Sequence, residues 1–181
     1  MNEEPNVYLR AFEVSDLELL NSWHNDQDIN SLTTGRKYFV STEYDRKWIE
    51  ERMLDNYNYV YCAICEYGSS KMVGYTNLTK IDYINRKAFW GGLIIGDENS
   101  KSKGYATSAA IQILKYGFCE LGLNRIWTDW LDDHTVAQFT TGKMLGFFQE
   151  GVLRQAVYKN NSYHDVIVMS LLKSEFKKKH L

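Results

Sequence analysis

The chain has 181 residues, of which 44% are hydrophobic and 24% are charged, a balance that supports a packed globular core and excludes intrinsic disorder. Its 21 basic and 23 acidic residues give a formal net charge of -2, so it lacks the basic footprint of general nucleic-acid binding. No apolar run approaches about 18 residues and the acidic N-terminus has no apolar segment, so no membrane span and no secretory signal are predicted. We therefore expect a soluble, cytoplasmic protein with a single domain over residues 1–181.

Hydrophobic periodicity, helix caps and turn residues predict eleven elements in the order β-α-α-β-β-β-α-β-α-β-β. In chain order they are a strand at 7–11, helices opening near Ser15 and at Ser41 or Thr42, strands at 59–65, 72–82 and 88–95, a helix at 105–121, a strand at 124–131, a helix at 135–145, and strands at 147–158 and 163–172. This order predicts one mixed α/β sheet. The basic segment from Lys177 to His180 is predicted to be a solvated tail.

The loop between the predicted strand at 88–95 and the helix at 105–121 has the features of an anion-binding site. A helix start presents unsatisfied backbone N–H groups and the positive end of the helix dipole. Gly104 lets a ligand approach the backbone, and Ala106 adds little bulk. Lys101 and Lys103 add positive charge. We interpret this loop as a cradle for a pyrophosphate, with an ordinary strand-to-helix connection as the alternative.

Several separated segments are similar, in the same order, to the GCN5-related N-acetyltransferase (GNAT) superfamily. They include Tyr8 to Phe12, Lys103 to Thr107, Leu121 to Ile126, Met144 to Phe147, Glu150 to Arg154 and Asp165 to Leu172, so the resemblance covers almost the whole chain. The chain looks most like the RimJ/RimL-like branch, typified by the ribosomal-protein alanine acetyltransferases. The resemblance implies an α/β (α+β) fold, with a mixed, mainly antiparallel sheet flanked by helices. It also implies acetyl transfer from acetyl-CoA to an amine.

The resemblance further implies which residues bind acetyl-CoA. The pyrophosphate loop of the family, Arg/Gln-x-x-Gly-x-Gly/Ala, is matched from Lys101 to Ala106, with Lys in place of the usual first residue and Ser102 where this branch often has Gly. The preceding strand would bind the pantetheine arm through its backbone, and Thr135 replaces an Asn that lies near the coenzyme in many relatives. The implied cofactor-binding residues are Leu93, Ile94, Ile95, Lys101, Ser102, Lys103, Gly104, Tyr105, Ala106, Thr107 and Thr135.

Two catalytic positions of the relatives are not matched. Relatives often carry a Glu as base on the strand before the pyrophosphate loop, where this chain has Phe89. They also often carry a Tyr that protonates the departing thiolate, where this chain has Gly142. The base and the acid must then come from other residues, each of which can equally be a structural group. The candidates are Asp82, Asp129 and Asp165 with His164 for the base, and Tyr163 or Tyr158 for the acid.

The segment 23–39 falls where the superfamily builds the wall that binds the acceptor, and a polar helix–helix connection is the alternative for it. Trp127 and Trp130 are three residues apart in a predicted strand and face opposite sides, so at most one lines the acceptor cleft. The candidate acceptor-binding residues are Trp23, His24, Arg36 and Trp130. Cys62 and Cys65 also face opposite sides of a strand, so we predict packing and no metal site.

These observations predict an acetyl-CoA-dependent N-acetyltransferase that transfers the acetyl group directly to a primary amine of a small molecule, such as an amino sugar or a polyamine. One alternative is a protein N-terminal acetyltransferase of the ribosomal-protein alanine type. Another, because of Phe89 and Gly142, is a CoA-binding module with impaired catalysis. The expected partners are acetyl-CoA and the amine acceptor, without nucleic acid or membrane, and a homodimer stays open.

Overall fold

The computed structural model describes residues 6–35, 39–55 and 57–181. The strands are β1 (Val7–Ala11), β2 (Val60–Glu66), β3 (Met72–Asp82), β4 (Lys87–Ile95), β5 (Arg125–Leu131), β6 (Phe148–Lys159) and β7 (Ser162–Leu172). The helices are α1 (Leu17–His24), α2 (Gln27–Ser31), α3 (Thr42–Leu54), α4 (Tyr105–Lys115), α5 (Thr135–Phe139) and α6 (Lys173–His180). Helices α4 and α5 each continue into a π-helical turn, over Tyr116–Glu120 and Thr140–Leu145.

The strands form one sheet in the order β1-β2-β3-β4-β5-β7-β6. Every neighbouring pair is antiparallel except β4 and β5, which run parallel because α4 crosses over between them. The predicted mixed, mainly antiparallel sheet flanked by helices is therefore confirmed. Among the described residues, no helix combines the length and apolar character needed to cross a bilayer.

The alternation of side chains along β2 separates two apolar cores. Ala63 and Cys65 face one side of the sheet and pack with residues of α1 and α3. Ile64 faces the other side and packs with Ala109 of α4. Because successive residues of a strand point to opposite faces, one strand contributes to both cores. The side that carries α1 and α3 also carries the candidate site.

Helix α1 begins at Leu17, one residue later than a cap at Ser15 predicts, and follows a 3-10 turn at Val14–Asp16. The carboxylate of Asp16 accepts from the backbone N–H of Glu13 (2.9 Å) and from both terminal nitrogens of Arg10 (2.7 and 2.8 Å). It therefore closes the turn before α1 and makes no cap hydrogen bond to α1 itself, which the sequence pattern could not indicate because Arg10 comes from β1.

The lysines from Lys177 to Lys179 are exposed, as predicted, but the segment is helical and not a tail. These residues belong to α6, whose Phe176 is fully buried and packs against Phe118 with ring centroids 5.1 Å apart. The four basic side chains lie in the last turn of the helix, where they complement the negative end of its dipole. The segment is also held by Lys179, which donates to the Lys143 carbonyl oxygen (2.8 Å), and by the contact of His180 Nε2 with the Leu145 carbonyl oxygen (3.0 Å).

Candidate active site

The sheet opens between its two parallel strands. β4 pairs with β5 only at Lys87–Phe89, opposite Arg125–Trp127. Beyond these residues both strands continue, β4 to Ile95 and β5 to Leu131, but in the described part of the chain no ladder joins them there. The backbone groups of β4 that face β5 are therefore left for another partner. An extended chain of amides fits this opening, because it can continue the ladder along β4.

A bulge in β4 shapes the opening. The register between β3 and β4 shifts next to Asn77, and Gly92 has a φ of +81°. A Cβ on Gly92 would meet the Trp130 ring at 2.5 Å, so only glycine fits beneath that ring. The Thr76 hydroxyl holds the bulge by donating to the Gly92 carbonyl oxygen (2.9 Å), and it accepts in turn from Trp90 Nε1 (3.1 Å).

We expect Gly92→Ala to lower the free energy of unfolding by about 2 kcal/mol or more, because the positive φ and the Trp130 ring both oppose a Cβ. Urea unfolding followed by tryptophan fluorescence measures the change. Gly151→Ala is the matched control, since Gly151 lacks a positive φ and a Cβ there would meet nothing within 4 Å. Equal stability losses in the two variants would contradict this account of the bulge.

The start of α4 is open in front of the β4–β5 gap. Its N-cap, Gly104, has a φ of +78° and no side-chain cap, and a Cβ there would meet nothing within 4 Å. Ser102, two residues earlier, also has a positive φ of 64°. The first N–H groups of the helix therefore point at open space with the positive end of the dipole behind them. These residues fit a diphosphate, as the sequence predicts.

The two lysines of this loop already have carboxylate neighbours. Lys101 pairs with Glu98, and Lys103 lies 3.7 Å from Glu66. Tyr105 turns its side chain into the α4 core and donates its hydroxyl to the same Glu66, which helps to hold the pKa of that carboxyl below its usual value. Tyr105 can thus offer a ligand only its backbone N–H. The lysine pairs are exposed and worth little, so a diphosphate can replace the carboxylates.

A cavity of about 430 Å³ occupies the acceptor side of the gap. One wall is the bulged stretch of β4 from Gly91 to Ile95, which contains the three predicted pantetheine-binding residues. Three further lining residues, Trp48 of α3, Tyr61 of β2 and Tyr75 of β3, form an aromatic wall next to this strand. The loop that follows α2 closes one end. Lys159 from the β6–β7 hairpin donates to the carbonyl oxygens of Asn30 in α2 and of Thr33 in this loop.

Of the predicted base candidates, the structure brings Asp129 to the cavity. Asp129 lies on β5 just beyond the end of the parallel ladder, and its side chain is half-buried. Burial raises the pKa of this carboxyl, while the charge of Lys80 opposes the rise. Its pKa is therefore displaced toward neutrality, the direction that suits a general base.

Asp82 lies outside the cavity, at the C-terminal end of β3. Its carboxylate accepts from the backbone N–H groups of Ile84 (3.0 Å) and Asn85 (2.8 Å), and these bonds hold its pKa below the usual value. Asp165 accepts from the backbone N–H of Gln155 (2.7 Å) on the last hairpin. Both carboxylates accept from backbone N–H groups, and His164 contacts Ser162 and the Lys159 carbonyl oxygen within the last hairpin. Of the predicted base candidates, Asp129 is the one that lines the cavity.

The predicted acid candidates also lie away from the cavity. Tyr163 is 65% exposed and packs on Tyr158 of the β6–β7 hairpin, 5.1 Å between ring centroids. Gly142 lies in the π-helical turn after α5, where a Cβ would contact the Met169 side chain at 3.5 Å. Thr135, a predicted cofactor residue, is exposed at the first position of α5.

The four predicted acceptor-binding residues have different locations. Trp130 lines the cavity beside the β4 bulge, and its buried Nε1 has no hydrogen-bond partner among the described residues. Trp23 and His24 are buried behind the aromatic wall, where Trp23 stacks on Tyr75. Arg36 lies outside the described residues. The prediction that His24 contacts the acceptor does not fit a side chain with no exposed surface.

The aromatic wall is not predicted from the sequence. Asp28, which lies at the α2 end of the cavity, belongs to the predicted acceptor segment 23–39 but is not singled out within it. A signal for part of the wall is present in the printed sequence. Tyr75, Asn77 and Thr79 alternate along β3 and share one face of the sheet, and all three line the cavity. The contributions of Asp28 and Trp48 depend on how α2 and α3 pack, which strand periodicity does not indicate.

A parallel strand pair that opens beside an uncapped helix N-terminus defines a class of protein that binds an extended amide arm ending in a pyrophosphate, the shape of coenzyme A. Residues 9–168 match the family model described as "Acetyltransferase (GNAT) domain", and the chain belongs to this family. It is an acetyl-CoA-dependent N-acetyltransferase.

The relatives include enzymes with two kinds of acceptor. YdaF of Bacillus subtilis, provisionally named a ribosomal N-acetyltransferase, is 32% identical over 105 residues, 58% of this chain and 56% of YdaF. The spermidine N(1)-acetyltransferase of Vibrio cholerae is 27% identical over 168 residues, 93% of this chain and 94% of that protein. A crystal structure of spermidine N-acetyltransferase from Vibrio cholerae, in complex with CoA and spermine, has a TM-score of 0.88 at 25% identity and covers 96% of this chain and 99% of that one.

Proposed function

We propose that the acceptor is an aliphatic polyamine. The observation that carries this proposal is the combination of two carboxylates, Asp28 and Asp129, with an aromatic wall in one cavity. A polyamine is a methylene chain between ammonium groups, so one cationic group can bind a carboxylate while another contacts an aromatic face. His134 also lines the cavity, and burial lowers the pKa of its imidazole, which keeps it from adding positive charge at neutral pH. The spermidine acetyltransferases among the relatives support the same acceptor class.

The residues of this chain then take the following roles. The backbone N–H groups from Gly104 to Thr107 would hold the diphosphate of acetyl-CoA, and the free edge of β4 from Leu93 to Ile95 would hold its pantetheine arm. Asp129 accepts a proton from the bound ammonium group, which frees the nitrogen lone pair to attack the thioester carbonyl carbon. The cavity is walled mainly by apolar and aromatic groups, which limits competition from water.

An acceptor panel tests this proposal. Purified protein is incubated with acetyl-CoA and spermidine, butylamine, glucosamine or a peptide with N-terminal Ala, with thiol release and product mass as readouts. We expect kcat/KM to be highest for spermidine, because only spermidine can occupy both carboxylates. Asp28→Asn should then reduce this preference over butylamine by about fivefold, the most that an exposed ion pair usually supplies. A higher kcat/KM for glucosamine or for the peptide would overturn the polyamine proposal.

The second candidate acceptor is a protein N-terminus, the activity of the RimJ/RimL-like branch. The observation that favours it is the similarity to YdaF, although that match spans little more than half of either chain. An α-amine also needs less help with deprotonation than an alkyl amine, because its pKa is about 7.7–8.0 against about 10.4 for a lysine side chain. The peptide arm of the panel separates the two candidates directly.

The assembly of the chain stays a prediction. β6 is an edge strand that leaves Phe148, Val152 and Leu153 exposed. Exposed apolar side chains on an edge strand are suited to association with another copy, which supports the homodimer that the sequence leaves open. The single-domain organisation and the cytoplasmic location likewise stay predictions from the sequence.

A further inference from the structure

Three titratable side chains from three elements meet behind the aromatic wall. His24 of α1 has no exposed surface, and its Nδ1 lies 2.8 Å from Oδ1 of Asp45 on α3. Its Nε2 lies 3.2 Å from the hydroxyl of Tyr75 on β3. The second oxygen of Asp45 accepts from the side-chain amide of Asn21 (2.8 Å). The arrangement is a hydrogen-bonded line from a buried carboxylate through an imidazole to a phenol.

Burial of the His24–Asp45 pair has a free-energy cost that packing alone does not explain. Asp45 is 1% exposed, and taking a carboxylate and an imidazole out of water together usually costs about as much as their attraction returns. The ring of Trp48 packs edge-on to His24 at 5.1 Å and excludes water from the pair. Apolar residues could join α1 to α3 equally well, so the tie between the helices does not by itself account for these residue types.

The hydrogen-bonded line from Asp45 through His24 to Tyr75 ends at the cavity. Tyr75 lines it, whereas His24 and Asp45 lie behind Tyr75. In the β3–β4 ladder Tyr75 is the partner of Ile94, one of the residues proposed above to hold the pantetheine arm. The phenol is therefore placed beside the strand along which the thioester would lie, on the same side of the sheet as Asp129.

The reaction needs a proton donor there. The leaving thiolate must gain a proton, and Gly142 provides no side chain for this in place of the Tyr of relatives. The hydroxyls of Tyr158 and Tyr163 lie on an exposed hairpin away from the cavity. Tyr75 belongs to the cavity wall, and its hydroxyl contacts the imidazole of the buried His24.

We propose that Tyr75 donates the proton to the departing CoA thiolate and that the buried His24–Asp45 pair resupplies it. In the starting state His24 is protonated, and its Nε2–H donates to the Tyr75 oxygen. As the C–S bond breaks and its electron pair moves to sulfur, the Tyr75 hydroxyl proton moves to sulfur and the Nε2 proton moves to the Tyr75 oxygen. The neutral His24 then regains a proton from solvent. The amine nitrogen loses two protons in all, one to Asp129 before attack and a second to solvent as the tetrahedral intermediate collapses to the amide, so the reaction releases one proton net. This inference rests on the cofactor position proposed above.

In this scheme Tyr75 is the catalytic residue, and His24 and Asp45 act through it. The 2.8 Å contact between Asp45 Oδ1 and Nδ1 orients the imidazole so that its Nε2 faces the Tyr75 hydroxyl. An imidazolium, with an ordinary pKa of about 6.5, can protonate a thiolate whose acid has a pKa near the cysteine value of about 8.5. A phenol of pKa about 10 without such a partner is a weaker source of protons at neutral pH.

Tyr75→Phe is the decisive variant, because it removes the hydroxyl and keeps the ring that packs on Trp23. We expect kcat to fall about 30-fold or more, with the Kd of acetyl-CoA within twofold of wild type, since general acid catalysis commonly supplies about 10²–10⁴-fold. His24→Gln should cause a loss of similar size, and the double variant should be no worse than Tyr75→Phe, because residues that act as a unit are not additive. Tyr158→Phe is the control with a surface hydroxyl and should stay within threefold.

The pH profile separates catalysis from a structural role. In the wild type, kcat with saturating substrates should fall as rising pH deprotonates His24, which Asp45 from α3 and Tyr75 from β3 face. Tyr75→Phe should lose this alkaline fall. Other titratable groups line the cavity, namely Asp28, Tyr61, Lys101, Asp129 and His134. His134→Gln is therefore the second control and should retain the fall.

An unchanged kcat and an unchanged pH profile in Tyr75→Phe would overturn the proposal, even if His24→Gln fails to fold. The same holds if the losses in the two single variants multiply in the double variant. Failure of the cofactor assignment has a different signature: wild-type affinity for acetyl-CoA after the loop at Gly104 is blocked. A low kcat in Tyr75→Phe with intact acetyl-CoA binding supports proton donation by Tyr75 whichever amine proves to be the acceptor.

Discussion

Asp129→Asn is expected to lower kcat by about 10²–10³-fold with a nearly unchanged Kd for acetyl-CoA. The amide has nearly the shape of the carboxylate but cannot accept the proton of the bound ammonium, and loss of a general base commonly costs about 10²–10⁴-fold. Initial rates with spermidine, measured by thiol release, give the change. Asp82→Asn is the comparison at the other predicted base candidate and should stay within threefold, since that carboxylate caps a turn outside the cavity.

The same assignment predicts how kcat depends on pH in the wild type and in Asp129→Asn. Burial raises the pKa of Asp129, so in the wild type kcat should begin to fall with decreasing pH above the ordinary Asp value of about 3.9. The Asn variant should lack this acid limb. A full loss of activity in Asp82→Asn, with Asp129→Asn near wild type, would move the base to Asp82 and contradict the assignment.

Stability provides a further check, because folding raises the pKa of Asp129, whereas it lowers the pKa of a carboxylate in a stabilising ion pair. A raised pKa means that the folded state binds the Asp129 proton more tightly than the unfolded state does. The free energy of unfolding therefore falls as pH rises through this interval, and at neutral pH the charged form is the less favoured one in the fold. Asp129→Asn should then be at least as stable as wild type at pH 7 in urea unfolding, while it loses activity.

The sequence alone predicts the fold and the cofactor loop better than the acceptor side. The loop before α4 is local, because Gly104 and the helix start that it caps are neighbours along the chain, and the structure leaves both open to a ligand. The strands likewise follow from alternation over a few residues. Such features depend on short-range chemistry, so a single sequence is enough to identify them.

The acceptor side depends on contacts between distant residues. His24 meets Asp45 across 21 positions and Tyr75 across 51, and nothing local to His24 distinguishes it from a histidine at an exposed helix end. The location of Trp23 also depends on a distant residue, because Tyr75 covers its ring and the ring does not face the cavity. Asp129 could be identified only as one of several carboxylates, because its importance comes from the opening between β4 and β5.

Gly104→Glu is expected to weaken acetyl-CoA binding by at least 100-fold while the fold is kept. The Cβ position of Gly104 faces open space, so the new side chain causes no clash, but it places bulk and a negative charge in front of the α4 N-terminus. Repulsion of the diphosphate then replaces its attraction to the helix N–H groups and dipole.

Calorimetry with acetyl-CoA measures this change, and circular dichroism checks the fold. Gly122→Glu is the matched control, because Gly122 also has a positive φ, of 66°, but follows the far end of the same helix. Both variants put glutamate into the left-handed region and so carry the same backbone strain, about 1–2 kcal/mol. A shared loss of affinity would therefore indicate strain, whereas a loss confined to Gly104→Glu places the diphosphate at the start of α4. Wild-type affinity in Gly104→Glu would remove the loop from the cofactor site altogether.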